Sequence, residues 1–270
     1  MTGLLWMRTV FSSELKKMLS YRVDFWVQFP AMVLIQIALA FFLWDSIFEL
    51  QNISSMNGYS FSGLMLYYLM VPLVDRILRG VDMRFISSEI YEGTLSRYLI
   101  YPVSFFLFKY LQHLAQSFIS FLQFILTILL FVLIFGMPQE FEASLQNILM
   151  GTFLLFTASI MYFILASIFE CVAFWADNVW SLLVMLRLTI FFLGGGMIPL
   201  NFFPEWSVDL LNYTPFPYMA YFPIRAYFGL IPLDEFIKGA GIITVWILFL
   251  ILMLRHLWKR GLLSYTGVGM

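Results

Sequence analysis

Long apolar runs separated by short charged stretches dominate the chain. The first stretch, residues 4–20, sets Leu4, Met7, Phe11, Leu15 and Met18 at helical spacing. Arg8, Ser12 and Lys16 follow a second stripe, with Lys17 beside it. The pattern predicts an amphipathic helix in the membrane interface, because Glu14, Lys16 and Lys17 are costly in hydrocarbon. The alternative is an extension of the first spanning helix. Six longer runs follow, at 23–48, 62–78, 105–135, 148–169, 182–198 and 236–257. A spanning helix needs about 20 mainly apolar residues, and each run is near or above that length. Pro30 predicts a kink or tilt in the first run. The run at 105–135 is long enough to project past the bilayer, and the one at 182–198 contains Gly194-Gly195-Gly196 near its end.

Residues 199–233 break the pattern. Pro199, Pro204, Pro215, Pro217 and Pro223 crowd this stretch, and Pro232 follows near its end. Prolines this dense cannot share one straight helix. The stretch is nevertheless too apolar, and too rich in Phe, Tyr and Trp, for a solvated loop. Short re-entrant or interfacial helices fit it, with their irregular backbone packed against protein.

Composition sharpens this picture. Hydrophobic residues make up 62% of the 270 positions and charged residues only 11%, against about 25% in a soluble domain. With 31 Phe, 14 Tyr and 8 Trp, the excess describes a lipid-facing surface. A net charge of −1 excludes a globally basic nucleic-acid binder. The single cysteine, Cys171, has no internal disulfide partner and reads as a reduced structural thiol. A cleavable signal peptide is not expected, since the first apolar run follows a charged segment and exceeds a signal core in length. With no Pro/Ser-rich linker and no clear repeat, one membrane domain over residues 1–270 is the simplest parse.

Charge also predicts orientation. With the N-terminus in the cytoplasm, six spans return the C-terminus there. The cytoplasmic stretches then hold Arg8, Lys16, Lys17, Arg22, Arg76, Arg79, Arg84, Arg97, Lys109, Arg255, Lys259 and Arg260. The outer stretches hold only Arg225 and Lys238, with Asp45, Glu49, Glu140, Glu142, Glu205, Asp209, Asp234 and Glu235. The positive-inside rule selects this arrangement. It also places residues 79–104 in the cytoplasm.

Catalytic constellations are missing from the sequence. His113 and His256 have no metal-ligand spacing with another His, Cys or carboxylate, and read as packing or interfacial residues. No Gly-x-Ser-x-Gly elbow and no Gly-x-x-x-x-Gly-Lys-Ser/Thr loop occurs. Gly194-Gly195-Gly196 has no Lys, Ser or Thr nearby, so these glycines read as a helix break or a close backbone contact. Arg187, early in the run at 182–198, admits two readings. It snorkels to the surface or pairs with Asp177 or Glu170; or it lines a substrate path or a subunit interface. Asp75, Arg76, Arg79, Asp82 and Arg84 read as a solvated, paired end of the run at 62–78.

One amphiphilic stretch between two apolar runs carries a motif: Glu89-x-x-x-Gly93-Thr94-Leu95, followed by Leu99 and Pro102-Val103. It resembles the cytoplasmic loop of ABC-2-type transporter permeases. The amphipathic N-terminal segment, the six spans and the proline-rich stretch before the last span agree in order with that family. Gly194-Gly195-Gly196-Met197-Ile198-Pro199-Leu200, Phe203-Pro204, Pro215-Phe216, Pro223, Gly229, Trp246 and Trp258-Lys259-Arg260-Gly261 resemble one branch of it. The resemblance covers nearly the whole chain. Ser88 departs from it, standing where many members carry Arg.

The resemblance implies an all-α polytopic membrane protein with six transmembrane helices, an N-terminal interfacial helix, a cytoplasmic coupling helix within about 84–103, and re-entrant helices within about 199–233. It implies a permease subunit of an ATP-driven exporter in the cytoplasmic membrane, and the aromatic, apolar spans favour a lipid-linked, amphiphilic or peptide-like cargo over a small ion. The chain is then not itself an enzyme. ATP and Mg are bound by two partner ATP-binding subunits, and a second copy or a paralogous permease completes the pathway within membrane lipid. Glu89, Glu92, Gly93, Thr94, Leu95 and Leu99 are the implied coupling residues. The implied outer gate comprises Gly194, Gly195, Gly196, Pro199, Phe203, Pro204, Pro215 and Phe216. From the residues alone, Ile90, Leu95 and Leu99 offer apolar anchors, and Glu89 and Glu92 suit a helix start. The competing class is a stand-alone secondary transporter or channel, which calls for ionisable residues near the midplane of several spans. These runs hold almost none besides Arg187.

Overall fold

The structure, a computed structural model, describes residues 3–20, 22–80, 85–142 and 144–267. Asp82, Arg84 and the first residue of the stretch 84–103 lie outside the described residues. Among the described residues, five helices are long and apolar enough to cross a membrane. They are α2 (Arg22–Gln51, its apolar portion Val33–Gln51), α3 (Phe61–Arg79), α6 (Phe105–Phe135), α7 (Leu145–Glu170) and α11 (Leu233–Ser264). Helix α1 (Gly3–Ser20) precedes them, and α4 (Ser87–Tyr91), α5 (Leu95–Ile100), α8 (Trp180–Leu193), α9 (Glu205–Leu211) and α10 (Tyr221–Tyr227) are shorter.

Helix α3 is the centre of the molecule. Leu64, Leu66, Tyr67, Leu69, Met70, Val71, Leu73 and Val74 are all buried on it, so its whole circumference meets protein. Helices α2, α6 and α7 pack around it, and α11 packs on α7. The lipid-facing character falls to the outer helices. Leu39 and Phe42 of α2, Leu133 and Ile134 of α6, and Val245 and Leu252 of α11 are exposed. Helix α1 lies along α6, where Phe11 meets Phe118 with ring centroids 6.1 Å apart.

Local chemistry explains where several elements begin. Ser60 caps α3 by accepting from the Gly63 amide at 3.1 Å, and its own amide and hydroxyl donate to Glu140 at 2.8 and 2.9 Å. Ser144 caps α7 through the Asn147 amide at 3.2 Å. Pro204 and Pro232 stand immediately before α9 and α11, where the fixed proline φ suits the approach to a first turn and no helical amide is lost.

Two features differ from the sequence-based expectation. A two-residue antiparallel hairpin, β1 (Ser55–Met56) with β2 (Tyr59–Ser60), joins α2 to α3. Asn57 and Gly58 at φ +48° and +86° make the tight turn that such a pair favours. The second difference concerns the run at 182–198. Helix α8 has only 14 residues, about 21 Å of rise against a hydrocarbon core of about 30 Å. It stops because the glycines turn the backbone, with Gly195 at φ +81°, and the rest of the run continues as turns.

The described elements divide between two ends of the bundle. At one end the C-termini of α3, α7 and α11 and the N-terminus of α6 meet α4 and α5. At the other, the hairpin, residues 136–142, α9, α10 and the start of α11 gather. There Arg225 pairs with Glu235 at 2.9 Å, Asn57 exchanges hydrogen bonds with Asn201 at 3.1 and 3.2 Å, and Tyr59 meets Phe228 at 5.9 Å.

Candidate functional site

The motif at 89–103 forms two short helices with an elbow. Helix α4 ends at Tyr91, Glu92 is its C-cap, and Gly93 follows at φ +70°. A left-handed glycine just past a helix end is the usual way to stop it and redirect the chain. Thr94 then precedes α5. Glu92 therefore stands at a helix end, not at a start as expected, whereas Glu89 does lie in the first turn of α4.

Three side chains of this same protein occupy the Glu89 carboxylate. Lys109 of α6 donates to it at 2.5 Å, the Tyr98 hydroxyl of α5 at 3.0 Å, and the Thr94 hydroxyl also donates to it. The Lys109 ammonium lies 4.9 Å from the Tyr98 ring centroid, 5.3 Å from Phe85 and 5.7 Å from Phe105. Burial pushes the Glu89 carboxyl up, but the bonds from Lys109, Thr94 and Tyr98 and the Lys109 charge outweigh it. The group stays below the usual carboxylate range. Burial, with the Glu89 carboxylate beside it, pushes the Tyr98 hydroxyl up to about 12.

The start of α4 is tied to a different helix. Glu170, the last residue of α7, accepts from the backbone amides of Ile86 and Ser87 at 2.6 and 2.9 Å. It thereby satisfies two donors at the head of α4 that no helical carbonyl reaches. The Tyr91 hydroxyl donates to the Ala176 carbonyl at 2.9 Å, and Ser96 of α5 meets the Tyr265 hydroxyl beyond α11 at 3.2 Å. The elbow is thus bonded to α6, α7, the stretch after α7 and the end of α11. Ile90 and Leu95 are buried within the chain and secure it from below. What it presents outward is Glu92, Arg97, Leu99, Ile100 and Tyr101, of which Ile100 is 82% exposed.

At the opposite end the triple glycine is a contact point between helices. The Tyr67 hydroxyl of α3 donates to the Gly195 carbonyl at 2.7 Å and Tyr68 to Met197 at 2.9 Å. The Tyr221 amide of α10 donates to the Gly194 carbonyl at 2.9 Å. A Cβ on Gly194 would lie 2.4 Å from the Ile190 carbonyl oxygen, and one on Gly196 2.9 Å from that of Phe191. Pro199 and Pro215 are buried, Phe203 and Phe216 are half-buried, and Pro204 is exposed before α9. Trp44 of α2 reaches this region through Phe202 at 5.2 Å.

Arg187 is half-buried on α8. Among the described residues no carboxylate lies within ion-pair distance of it. Of the alternatives for Arg187, the pairing with Asp177 or Glu170 is therefore not made, and Glu170 is instead committed to the α4 amides. Asp75 and Arg79 do pair, as expected for the end of α3, but the pair is largely buried and not solvated. His113 packs between helices, with its Nε2 3.0 Å from the Ser159 hydroxyl.

Lys109 and Glu170 are the residues that sequence reasoning left without these roles. A signal for both was present. Lys109 is the only charge in the run at 105–135, and Glu170 the only one between Glu142 and Asp177. A lone ion in an apolar run demands a partner.

Residues 34–269 match the family model described as ABC-2 family transporter protein. No curated protein matches the chain significantly.

Proposed function

The chain belongs to the ABC-2 transporter family, a family of multi-pass membrane transport components, and from that premise we propose that it is the permease subunit of an ATP-driven exporter. ATP and Mg are bound and hydrolysed by a separate pair of ATP-binding subunits. The observation that carries this reading is the elbow of α4 and α5, bonded to two long helices and to the residue after a third, and offering a small mixed surface outward. In this reading Glu92, Arg97, Leu99 and Ile100 meet the ATP-binding subunit. Glu89, Thr94 and Leu95 hold the elbow together, and Gly93 sets its angle. Movement of the partner is passed to α6 through Lys109 and to α7 through Glu170.

The same reading places the elbow and both termini in the cytoplasm, in line with the basic residues gathered at that end. Helix α8 and the turns after it complete a further crossing, giving six. Helices α9 and α10 re-enter from the outer face and, with Gly194–Gly196 and Phe216, form the outer gate. A second permease copy faces the first across α2 and α8. Between those helices runs an open groove of about 700 Å³, walled by Ile35, Leu39, Leu43 and Phe191 with Gln36 and Tyr68 as its polar groups. That lining suits an amphiphilic cargo.

The test replaces Glu92 and Leu99 with alanine and aspartate, singly and together, in the complex reconstituted in liposomes with the ATP-binding protein that co-purifies. We expect substrate-dependent ATPase activity to fall at least tenfold while the chain still inserts and folds. Intrinsic ATPase activity of the purified chain alone would contradict the proposal.

A further inference from the structure

On the same end as the elbow, α11 leaves an open groove of about 550 Å³ against α6 and α7. Its walls are apolar: Phe163 and Ile164 of α7 face Leu254 of α11 across it. Trp258 closes the inner side and is itself fixed, stacked on Phe105 at 5.1 Å and edge-on to Phe106 at 4.7 Å. Arg255 and Lys259 line one end of the groove, one helical turn apart and both exposed. No carboxylate is among the lining residues, and neither cation has an ion-pair partner among the described residues.

Depth along α11 says what this pair of cations meets. Sixteen uncharged residues separate Lys238 from Arg255. That is about 25 Å of helix, close to the thickness of a hydrocarbon core. Arg255 and Lys259 therefore stand at headgroup level, with the groove running inward from them. Basic pockets between helices at a membrane surface recognise anionic headgroups.

We propose that this groove holds one anionic phospholipid of the surrounding leaflet. Its phosphate lies between Arg255 and Lys259, and its acyl chains follow Phe163, Ile164 and Leu254. An anionic lipid fits better than a zwitterionic one, because the lining offers two cations and no carboxylate for a headgroup amine. The bound lipid would sit within one turn of Lys109, the α6 anchor of the elbow, since Phe106 and Tyr110 line the same groove. The site depends on α6, α7 and α11 crossing the membrane and not on the coupling role of the elbow.

The full-length chain, purified in mild detergent and equilibrated with equal phosphatidylglycerol and phosphatidylcholine, is examined by native mass spectrometry for retained lipid. Wild type is expected to retain one phosphatidylglycerol with a preference of about twenty-five-fold, about fivefold for each cation. R255Q/K259Q should bring the preference close to one. Ile160→Trp, which fills the groove from a half-exposed lining position, should lower retention of phosphatidylglycerol with both cations intact. Equal retention of the two lipids by wild type overturns the proposal without recourse to any variant. So does a preference that survives R255Q/K259Q, or retention unaffected by Ile160→Trp, which would put the lipid elsewhere.

Discussion

The roles of individual residues follow from which donors and acceptors they satisfy. Glu89 is an internal clamp: its three donors all belong to its own chain. Glu89→Gln keeps the shape and removes the charge, leaving Lys109 nearly buried without its counterion. We expect the elbow to lose about 2 kcal/mol of local stability, read as faster hydrogen exchange of α4 and α5 amides. The pH dependence has a definite sign. The folded-state carboxyl titrates below its ordinary value, so its contribution is complete above the unfolded value and is lost as pH falls through the folded one. Elbow protection should therefore drop selectively below the usual carboxylate range, and in Glu89→Gln that drop should be absent. Glycines give a contrasting pair. Gly195 sits at φ +81° with its missing Cβ 3.0 Å from the Tyr221 Cβ and the Tyr67 hydroxyl, so Gly195→Ala should cost at least about 1 kcal/mol. Gly241, exposed within α11 with nothing near, should gain about 0.5–1 kcal/mol as alanine. Thermal unfolding in detergent distinguishes the two.

At the scale of elements, the long helices were legible because their apolar runs are long and punctuated by charge. The runs expected at 105–135 and 148–169 correspond closely to α6 and α7. The exception is α8, whose apolar run outlasts its helix. Hydropathy counts Gly194–Ile198 as membrane-compatible but does not register that Tyr67 and Tyr68 on α3 draw their carbonyls into a turn. The hairpin is legible in the Asn57-Gly58 dipeptide, the residue pair that a two-residue turn favours. The motif at 89–103 was visible as an amphiphilic interruption between apolar runs. Its anchoring was not, because Lys109 lies 20 positions from Glu89 and Glu170 lies 84 from Ile86. This separation gives a prediction for α4 itself. Glu170→Ala leaves two buried amides unsatisfied and should raise exchange in α4 far more than in α5. Glu170→Gln, which retains an acceptor oxygen, should restore most of the protection.

For the molecule as a whole, the arrangement separates two jobs. One end joins α6, α7 and the residue after α11 to the elbow through charged and polar bonds. The other joins α3, α8 and α10 through tyrosine hydroxyls and glycine carbonyls. Helix α3, buried along most of its length and packed on α6 and α7, runs between the two ends. In the function proposed above, the elbow's outer surface is where an ATP-binding protein docks. Affinity purification of the tagged chain from its native membranes, with quantitative mass spectrometry, tests it most directly. An ATP-binding cassette protein is expected in stoichiometric amount, with recovery lowered at least tenfold in L99D/I100D, whose membrane insertion is unchanged. Recovery of no such protein, or equal recovery with the double variant, would contradict it.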